Sequence, residues 1–457
     1  MKILSKKSSN PSLKAKKLSI NDIKNFYEAP KDFFKIGIEY ERLSLDRNTL
    51  KTAKYENVAK TIEHFASINS WTLIYDSETL IGAKDKNNNS ISLEPACQLE
   101  ISLAPSPYLL EIKKNLTSIV SSLDNISKIY DVIFVGYGIN PTEYVDDIQL
   151  IDKKRYKIMD KYLPWAYNGE LAPKMMKKTA GIQINIDYFD NSDLYYKLLV
   201  ANKISPFIQA ISSNSPFEDN KISNYKSQRA YVWHYTGSQR CNFFYKNLFK
   251  NPFSKFDPIK AYIKEILKVP MIYVEKENDE IIINGKINFL EFLKSKNGYF
   301  SYTPEFEDYI LHQSLCFPDV RLKQYIEIRN HDSSNLAMVL ALAALYKGLF
   351  CHDVKKLADI LKYIKVDDLE NYSLEASKYG LEFNVDKNLS AFEVINTLFL
   401  VARENLNSQE RMFLKPIFEI LTTKKTQADL IIEKNPKSAS ELLEILKVLN
   451  FEFSNIS

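Results

Sequence analysis

Residues 34–46 read FKIGIEYERLSLD. Successive side chains of an extended chain point to opposite faces, so Ile36, Ile38 and Tyr40 share one side while Gly37, Glu39 and Glu41 share the other. The pattern predicts a strand that buries an aliphatic side and presents two carboxylates, about 6 to 7 Å apart, on the other. Three further stretches repeat this division. In SLEPACQLEISLAP (92–105), Glu94, Gln98, Glu100 and Ser102 have one parity and Leu99, Ile101 and Leu103 the other, with Pro95 kinking the entry. In AGIQINIDY (180–188), Gln183, Asn185 and Asp187 oppose Ile182, Ile184 and Ile186. In QYIEIRN (324–330), Glu327 and Arg329 oppose Ile326 and Ile328.

Solvated strand faces ordinarily mix in Lys, Ser and Thr, whereas these four carry carboxylates and amides with one arginine as their only cation. Placed side by side in a sheet, such strands would gather anions at severe electrostatic cost. Hard divalent cations are the natural compensation, and an all-oxygen donor set favours Mg²⁺ or Mn²⁺ over zinc.

The bulk composition narrows the function classes. At 457 residues the chain is larger than one core of ~250–300 residues, and its 45% hydrophobic content supports a sizeable interior. The net charge of +4 belongs to a basic N-terminal tail: residues 1–20 hold six lysines and no acid, so the remaining chain is slightly acidic. An acidic body has no electrostatic footprint for nucleic acid, and the tail reads as disordered solubilising sequence. The longest apolar run, LAMVLALAALY from Leu336 to Tyr346, falls short of the ~18 residues that span a bilayer and reads as a buried helix. With no secretory h-region and no arginine-rich transit peptide, the expected location is cytoplasmic. Cys97, Cys241, Cys316 and Cys351 form no C-x-x-C and the five histidines no metal spacing, which argues against structural zinc and a disulfide scaffold. Neither a P-loop nor a G-x-G-x-x-G motif occurs.

Strand-like and helical stretches alternate to about residue 335, with several strands joined by short turns, which predicts an α+β fold around a mixed or antiparallel sheet. Asn87–Asn89 reads as one such turn, and Asn284-Gly285 as the type I′ turn of a second hairpin. From residue 336 the periodicity becomes helical: Leu357, Ile360, Leu361 and Ile364 recur at i, i+3, i+4, i+7, as do Leu442, Ile445, Leu446 and Leu449. Ser390 and Ser438 each precede a glutamate by three residues, a capping-box arrangement. The expected organisation is a tail over 1–20, a catalytic domain over 21–350 and a helical region over 351–457 packed against it.

The segments GIEYE (37–41), LEPACQLEISLAP (93–105), GIQINIDY (181–188), NSP with YKSQR (214–229) and DVRLKQYIEIR (319–329) resemble, in order and spacing, plant and proteobacterial glutamate-cysteine ligase. The resemblance runs from about residue 20 to 450 and takes in KKRYKIMDKYLP (153–164) and KVPMIYV (268–274). It implies a glutamine-synthetase-like fold, in which a curved antiparallel sheet forms a cleft for Mg-ATP and glutamate with helices outside it. Carried over residue by residue, it makes Glu39, Glu41, Glu94, Glu100 and Glu327 the metal ligands, with Gln183 and Asn185 beside them in the substrate site. Arg329 would face the transferred phosphoryl group, Arg321 and Lys323 the nucleotide, and Arg229 the α-carboxylate of glutamate. Tyr225, Trp233 and Tyr273 are available to contact a thiol, with core packing as the competing role. The implied reaction joins glutamate to cysteine at the expense of ATP with two or three Mg²⁺ ions, Mn²⁺ being a possible substitute. The enzyme would be a monomer or homodimer that needs no nucleic acid or membrane. A different amine acceptor or a catalytically silent relative are the alternatives, the second disfavoured because every candidate carboxylate and Arg329 is present. Two segments depart from the resemblance: Ala96-Cys97 stands where small residues, often glycines, are usual, and NHDSS (330–334) is worded differently after the arginine.

Overall fold

The computed structural model describes residues 18–28, 31–250, 257–276, 279–294 and 304–454. Most of the basic tail, residues 1–17, therefore lies outside the described residues. A nine-stranded sheet organises the molecule: β1 (Ile36–Asp46), β2 (Thr72–Asp76), β3 (Thr79–Lys84), β4 (Ser90–Leu93), β5 (Leu99–Ser102), β6 (Val132–Val135), β7 (Gly181–Ile186), β8 (Val320–Leu322) and β9 (Ile326–Asp332). The order across it is β8-β9-β7-β1-β5-β4-β3-β2, with β6 beside the second half of β1. Every pairing within this sheet is antiparallel.

The four strands of alternating composition, β5, β1, β7 and β9, are thus consecutive neighbours. Their aliphatic faces carry Ile36, Ile38, Ile101, Ile182, Ile184, Ile186, Ile326 and Ile328, all without solvent exposure. Two long helices cover that side. Leu336–Phe350 packs on β7 and β1, and Asn191–Ile211 packs on β8 and β9. A helix enclosed in this way can be apolar around most of its circumference, which accounts for LAMVLALAALY. Among the described residues no single helix is long and apolar enough to cross a membrane.

The local signals meet different fates. Ser390 caps the helix Ala391–Asn405 with both halves of the capping box formed, and the Ser438 hydroxyl accepts from the Glu441 N–H at the start of Ala439–Ser454. Asn88 adopts a left-handed conformation in the turn between β3 and β4. Asn284 and Gly285 both have positive φ, and the Lys286 N–H donates to the Ile283 carbonyl at 3.2 Å, as a type I′ turn requires. The predicted hairpin across it does not form, however. The preceding strand, Asp279–Ile282, pairs instead with Tyr273–Lys276, because the residues after the turn run straight into the helix Phe289–Lys294. The helix predicted through Ile364 also stops early, at Ile360, which is exposed while Leu357, Leu361 and Ile364 are buried. The Leu361 carbonyl accepts instead from the buried Lys203 ammonium at 2.9 Å.

Candidate active site

The antiparallel registers turn the parity of each strand into rows across one sheet face. Arg321, Glu327, Asn185 and Gly37 are successive cross-strand partners, and so are Gln183, Glu39 and Ser102, and Glu41, Glu100 and Ser92. Glu94 joins this face from the turn between β4 and β5. That turn is closed by the Cys97 N–H on the Glu94 carbonyl (3.0 Å) and the Glu94 N–H on the Gln98 carbonyl (2.9 Å). Gln98 itself leaves the face: β5 begins at Leu99, and the buried Gln98 amide donates to the carbonyls of Met176 and Thr179.

Amides hold the carboxylates in place. Asn185 Nδ2 donates to Glu39 (2.8 Å), Gln183 Nε2 to Glu41 (2.5 Å), and the Gly181 N–H to the other Glu41 oxygen (2.5 Å). Glu100 accepts from Ser92 (3.2 Å) and Ser102 (3.1 Å). Burial, then the neighbouring Glu94, pushes Glu41 up to about 7. Burial, then Glu39, Glu94 and Glu41, pushes Glu100 well above the usual carboxylate range. Glu94 is also raised by burial, although Lys153, Arg155 and Arg329 oppose the shift. The amide oxygens of Gln183 and Asn185 are buried without a partner. Crowded carboxylates that resist ionisation, next to unpartnered oxygens, form a donor set that suits a hard divalent cation. Among the described residues, no group of three or more acidic, His or Cys side chains is already gathered around one point.

Glu327 has a different environment on the same face. It is completely buried and receives Arg321 through two nitrogens (2.5 and 3.0 Å), Lys323 (2.6 Å) and Arg329 (3.0 Å). Burial alone would raise it, but Arg321, Lys323 and Arg329 hold it well below the usual carboxylate range. Arg321 is committed to this pair and to the Cys316 carbonyl, whereas Lys323 and Arg329 keep part of their side chains accessible. The face therefore runs from a cationic end around Glu327 to an anionic centre.

Arg229 enters from the helix Gln228–His234, capped by Ser227. Its guanidinium donates through Nη2 to the Arg329 carbonyl (3.0 Å) and leaves Nε buried and unpartnered. Gly181 makes this approach possible, since a Cβ there would lie 2.4 Å from Arg229 Nη2. Arg229, Arg329, Trp233 and Asp319 line a small cavity, and the Trp233 indole N–H is buried without a partner. Tyr225 instead stacks on Tyr231 (4.0 Å between centroids). Tyr273 is buried on the strand Tyr273–Lys276, which packs against the helix Phe306–Ser314 and belongs to a separate two-stranded pair outside the nine-stranded sheet.

The sequence pattern of Glutamate-cysteine ligase family 2 matches residues 35–444. This chain belongs to that family. It is similar to the chloroplastic glutamate-cysteine ligase of Arabidopsis thaliana, 28% identical over 409 residues that cover 88% of this chain and 76% of the relative. It is also similar to the chloroplastic glutamate-cysteine ligase B of Oryza sativa subsp. japonica, 30% identical over 332 residues, 72% of this chain and 65% of that one. The crystal structure of a Francisella tularensis glutamate-cysteine ligase in complex with AMP superposes with a TM-score of 0.56 at 16% identity, covering 94% of this chain and 91% of that chain. The overall α+β architecture is thus shared with that structure.

One departure from the family resemblance has a geometric explanation. Cys97 has φ 66°, a left-handed conformation that glycine adopts without strain, and its thiol is buried and pushed up to about 12 by desolvation. Sequence reasoning missed two cations. Lys153 and Arg155 are the leading charges that favour ionised Glu94, and Arg155 is anchored by Ser314 Oγ (2.8 Å) and the Ser314 carbonyl (2.9 Å). They stand at the entry to the helix Lys154–Tyr162, where strand parity gives no signal. Their presence in KKRYKIMDKYLP is the only sequence pointer to them.

Proposed function

We propose that this chain is an ATP-dependent ligase that joins the γ-carboxylate of L-glutamate to the amine of L-cysteine, giving γ-glutamylcysteine. The observation that carries the reading is the pairing, on one sheet face, of four carboxylates (Glu39, Glu41, Glu94, Glu100) with a cationic end (Arg321, Lys323, Arg329). A free carboxylate resists attack by an amine, because the addition would put more negative charge on an already anionic group. Activation by phosphorylation removes the obstacle. The γ-carboxylate attacks the γ-phosphorus of ATP and ADP departs. The cysteine amine then attacks the carbonyl of the resulting γ-glutamyl phosphate, the C–O bond to phosphate breaks, and inorganic phosphate leaves.

Arg329 stabilises charge on the transferred phosphoryl group and Lys323 balances the nucleotide phosphates, whereas Arg321, expected at the nucleotide, is spent on Glu327 and the Cys316 carbonyl and serves to hold Glu327 in place. Arg229 anchors the α-carboxylate of glutamate beside Glu41, and Trp233 closes that side of the cavity. Glu39, Glu41, Glu94 and Glu100, with Gln183 and Asn185, would hold two or three Mg²⁺ ions, or Mn²⁺ in their place; Glu327, the fifth carboxylate of the expected set, is left out because its oxygens already receive Arg321, Lys323 and Arg329. The chemistry that bound cations supply is neutralisation of phosphate charge.

The amine is tested by competition. Offered cysteine, 2-aminobutyrate, serine and ammonia with glutamate and ATP, the enzyme is expected to show its highest kcat/KM for cysteine and to yield a γ-linked dipeptide by mass spectrometry. Because a thiol or methylene contributes only ~1–3 kcal/mol of discrimination, 2-aminobutyrate should turn over more slowly but measurably. A preference for ammonia, or for no amine at all, would contradict the assignment.

A further inference from the structure

The segment NHDSS follows Arg329, and no step of the proposed reaction uses it. Most of its side chains tie elements together. Asn330 Nδ2 donates to the Ser205 carbonyl and hydroxyl (both 2.7 Å), and His331 bridges the Ile182 carbonyl (2.9 Å) and the Tyr346 hydroxyl (2.8 Å). The Ser333 hydroxyl donates to the backbone carbonyl of Glu41 (2.5 Å).

Asp332 is different, because it brings a charge that is 1% exposed. Its partners are the Asn214 N–H (2.9 Å) and Ser215 hydroxyl (2.6 Å) on one oxygen, and the Ser227 hydroxyl (2.7 Å) on the other. A carboxylate only accepts, so each serine must spend its single proton on Asp332 and turn its lone pairs elsewhere. Both lone pairs meet the first turn of the helix that carries Arg229. Ser215 Oγ accepts from the Arg229 N–H (3.2 Å), and Ser227 Oγ accepts from the Ala230 N–H (3.1 Å). The same residue is the leading opposite charge acting on the buried guanidinium of Arg229. Asp332 ends β9, three residues beyond Arg329, whose carbonyl receives Arg229 Nη2.

We propose that Asp332 is a positioning residue: through Ser215 and Ser227 it sets the helix turn that presents Arg229 to the α-carboxylate of glutamate. The inference rests on the reading of Arg229 as that anchor. An asparagine here would keep the shape but supply an N–H₂ donor in place of one acceptor, reverse one serine, and remove the counter-charge.

The test uses the full chain and steady-state kinetics with glutamate, cysteine and ATP. Asp332→Asn is expected to raise the KM for glutamate by about tenfold or more, the scale of a misplaced binding group, with the KM for ATP nearly unchanged and the melting temperature lowered by loss of a buried counter-charge. In the double variant with Arg229→Lys, the KM for glutamate should be no higher than in Arg229→Lys alone, because both changes act on one group. Multiplying effects would overturn the inference, and so would an equal rise in the KM for ATP and for glutamate. If Arg229→Lys raises the KM for glutamate and Asp332→Asn does not, the inference fails alone. If Arg229→Lys leaves that KM unchanged, the anchor reading itself falls and takes the inference with it. Should Asp332→Asn not fold, Ser227→Ala breaks one of the two links and must still show a smaller rise confined to glutamate; absence of that rise would overturn the inference.

Discussion

Glu41→Gln lowers kcat/KM by at least ~10²-fold, the scale of removing one preorganised electrostatic group from an active site. The substitution keeps the shape of a side chain that receives Gln183 and the Gly181 N–H, but removes charge from the centre of the carboxylate face. The matching change at Glu100 should separate stability from activity. Glu100 is half-buried among Glu39, Glu94 and Glu41, and its two hydrogen-bond partners are serine hydroxyls that can rotate to suit an amide. Glu100→Gln is therefore expected to lose activity on the same scale while melting at a higher temperature than the parent protein when no divalent cation is added. Near-parental turnover of either variant at saturating Mg²⁺ would remove that residue from the metal-binding set. A lower melting point for Glu100→Gln would show that repulsion among the four carboxylates is not the dominant cost.

Arg329→Lys should reduce kcat by ~10²–10³-fold with smaller changes in the KM for ATP and glutamate, since a group that acts on charge developing in the transition state is felt mainly in kcat. One Arg329 nitrogen is held by Glu327 and the side chain is 16% exposed, so it is oriented yet still reachable. Lysine cannot reproduce that fork. Arg321→Lys is the internal control. Its guanidinium is spent on Glu327 and the Cys316 carbonyl, so the substitution should lower the melting temperature more than it lowers kcat. Steady-state kinetics beside thermal melting of both variants distinguish the roles, and equal kcat losses at the two positions would contradict the division.

The carboxylate face was legible in the sequence because its signal is local. Alternation with period two sorts Ile182, Ile184 and Ile186 from Gln183 and Asn185 within six residues, whatever the rest of the chain does. Adjacency of the four strands was not legible. It depends on registers such as Glu41 opposite Glu100, and on the passage from β1 to β7 across some 140 residues, which local patterning does not encode. Glu327 was recognised as facing the site, but its neutralisation by Arg321 could be seen only once β8 folded back on β9. The turn at Asn284-Gly285 was readable from its φ requirements, while the partner of the strand entering it was set by a neighbouring segment. Lys153, Arg155 and Asp332 were missed for a common reason. Each acts across elements distant in sequence, Lys153 and Arg155 by their charge on Glu94 and Asp332 through Ser215 and Ser227.

The central claim is that the γ-carboxylate of glutamate is activated by phosphorylation before it meets the amine. Glutamate labelled with ¹⁸O in its γ-carboxylate, turned over with ATP and cysteine, tests it through the inorganic phosphate released. Attack of a carboxylate oxygen on the γ-phosphorus, followed by C–O cleavage, predicts that each phosphate carries one labelled oxygen and that ADP forms in equal amount. Unlabelled phosphate, or AMP and pyrophosphate in place of ADP and phosphate, would contradict it.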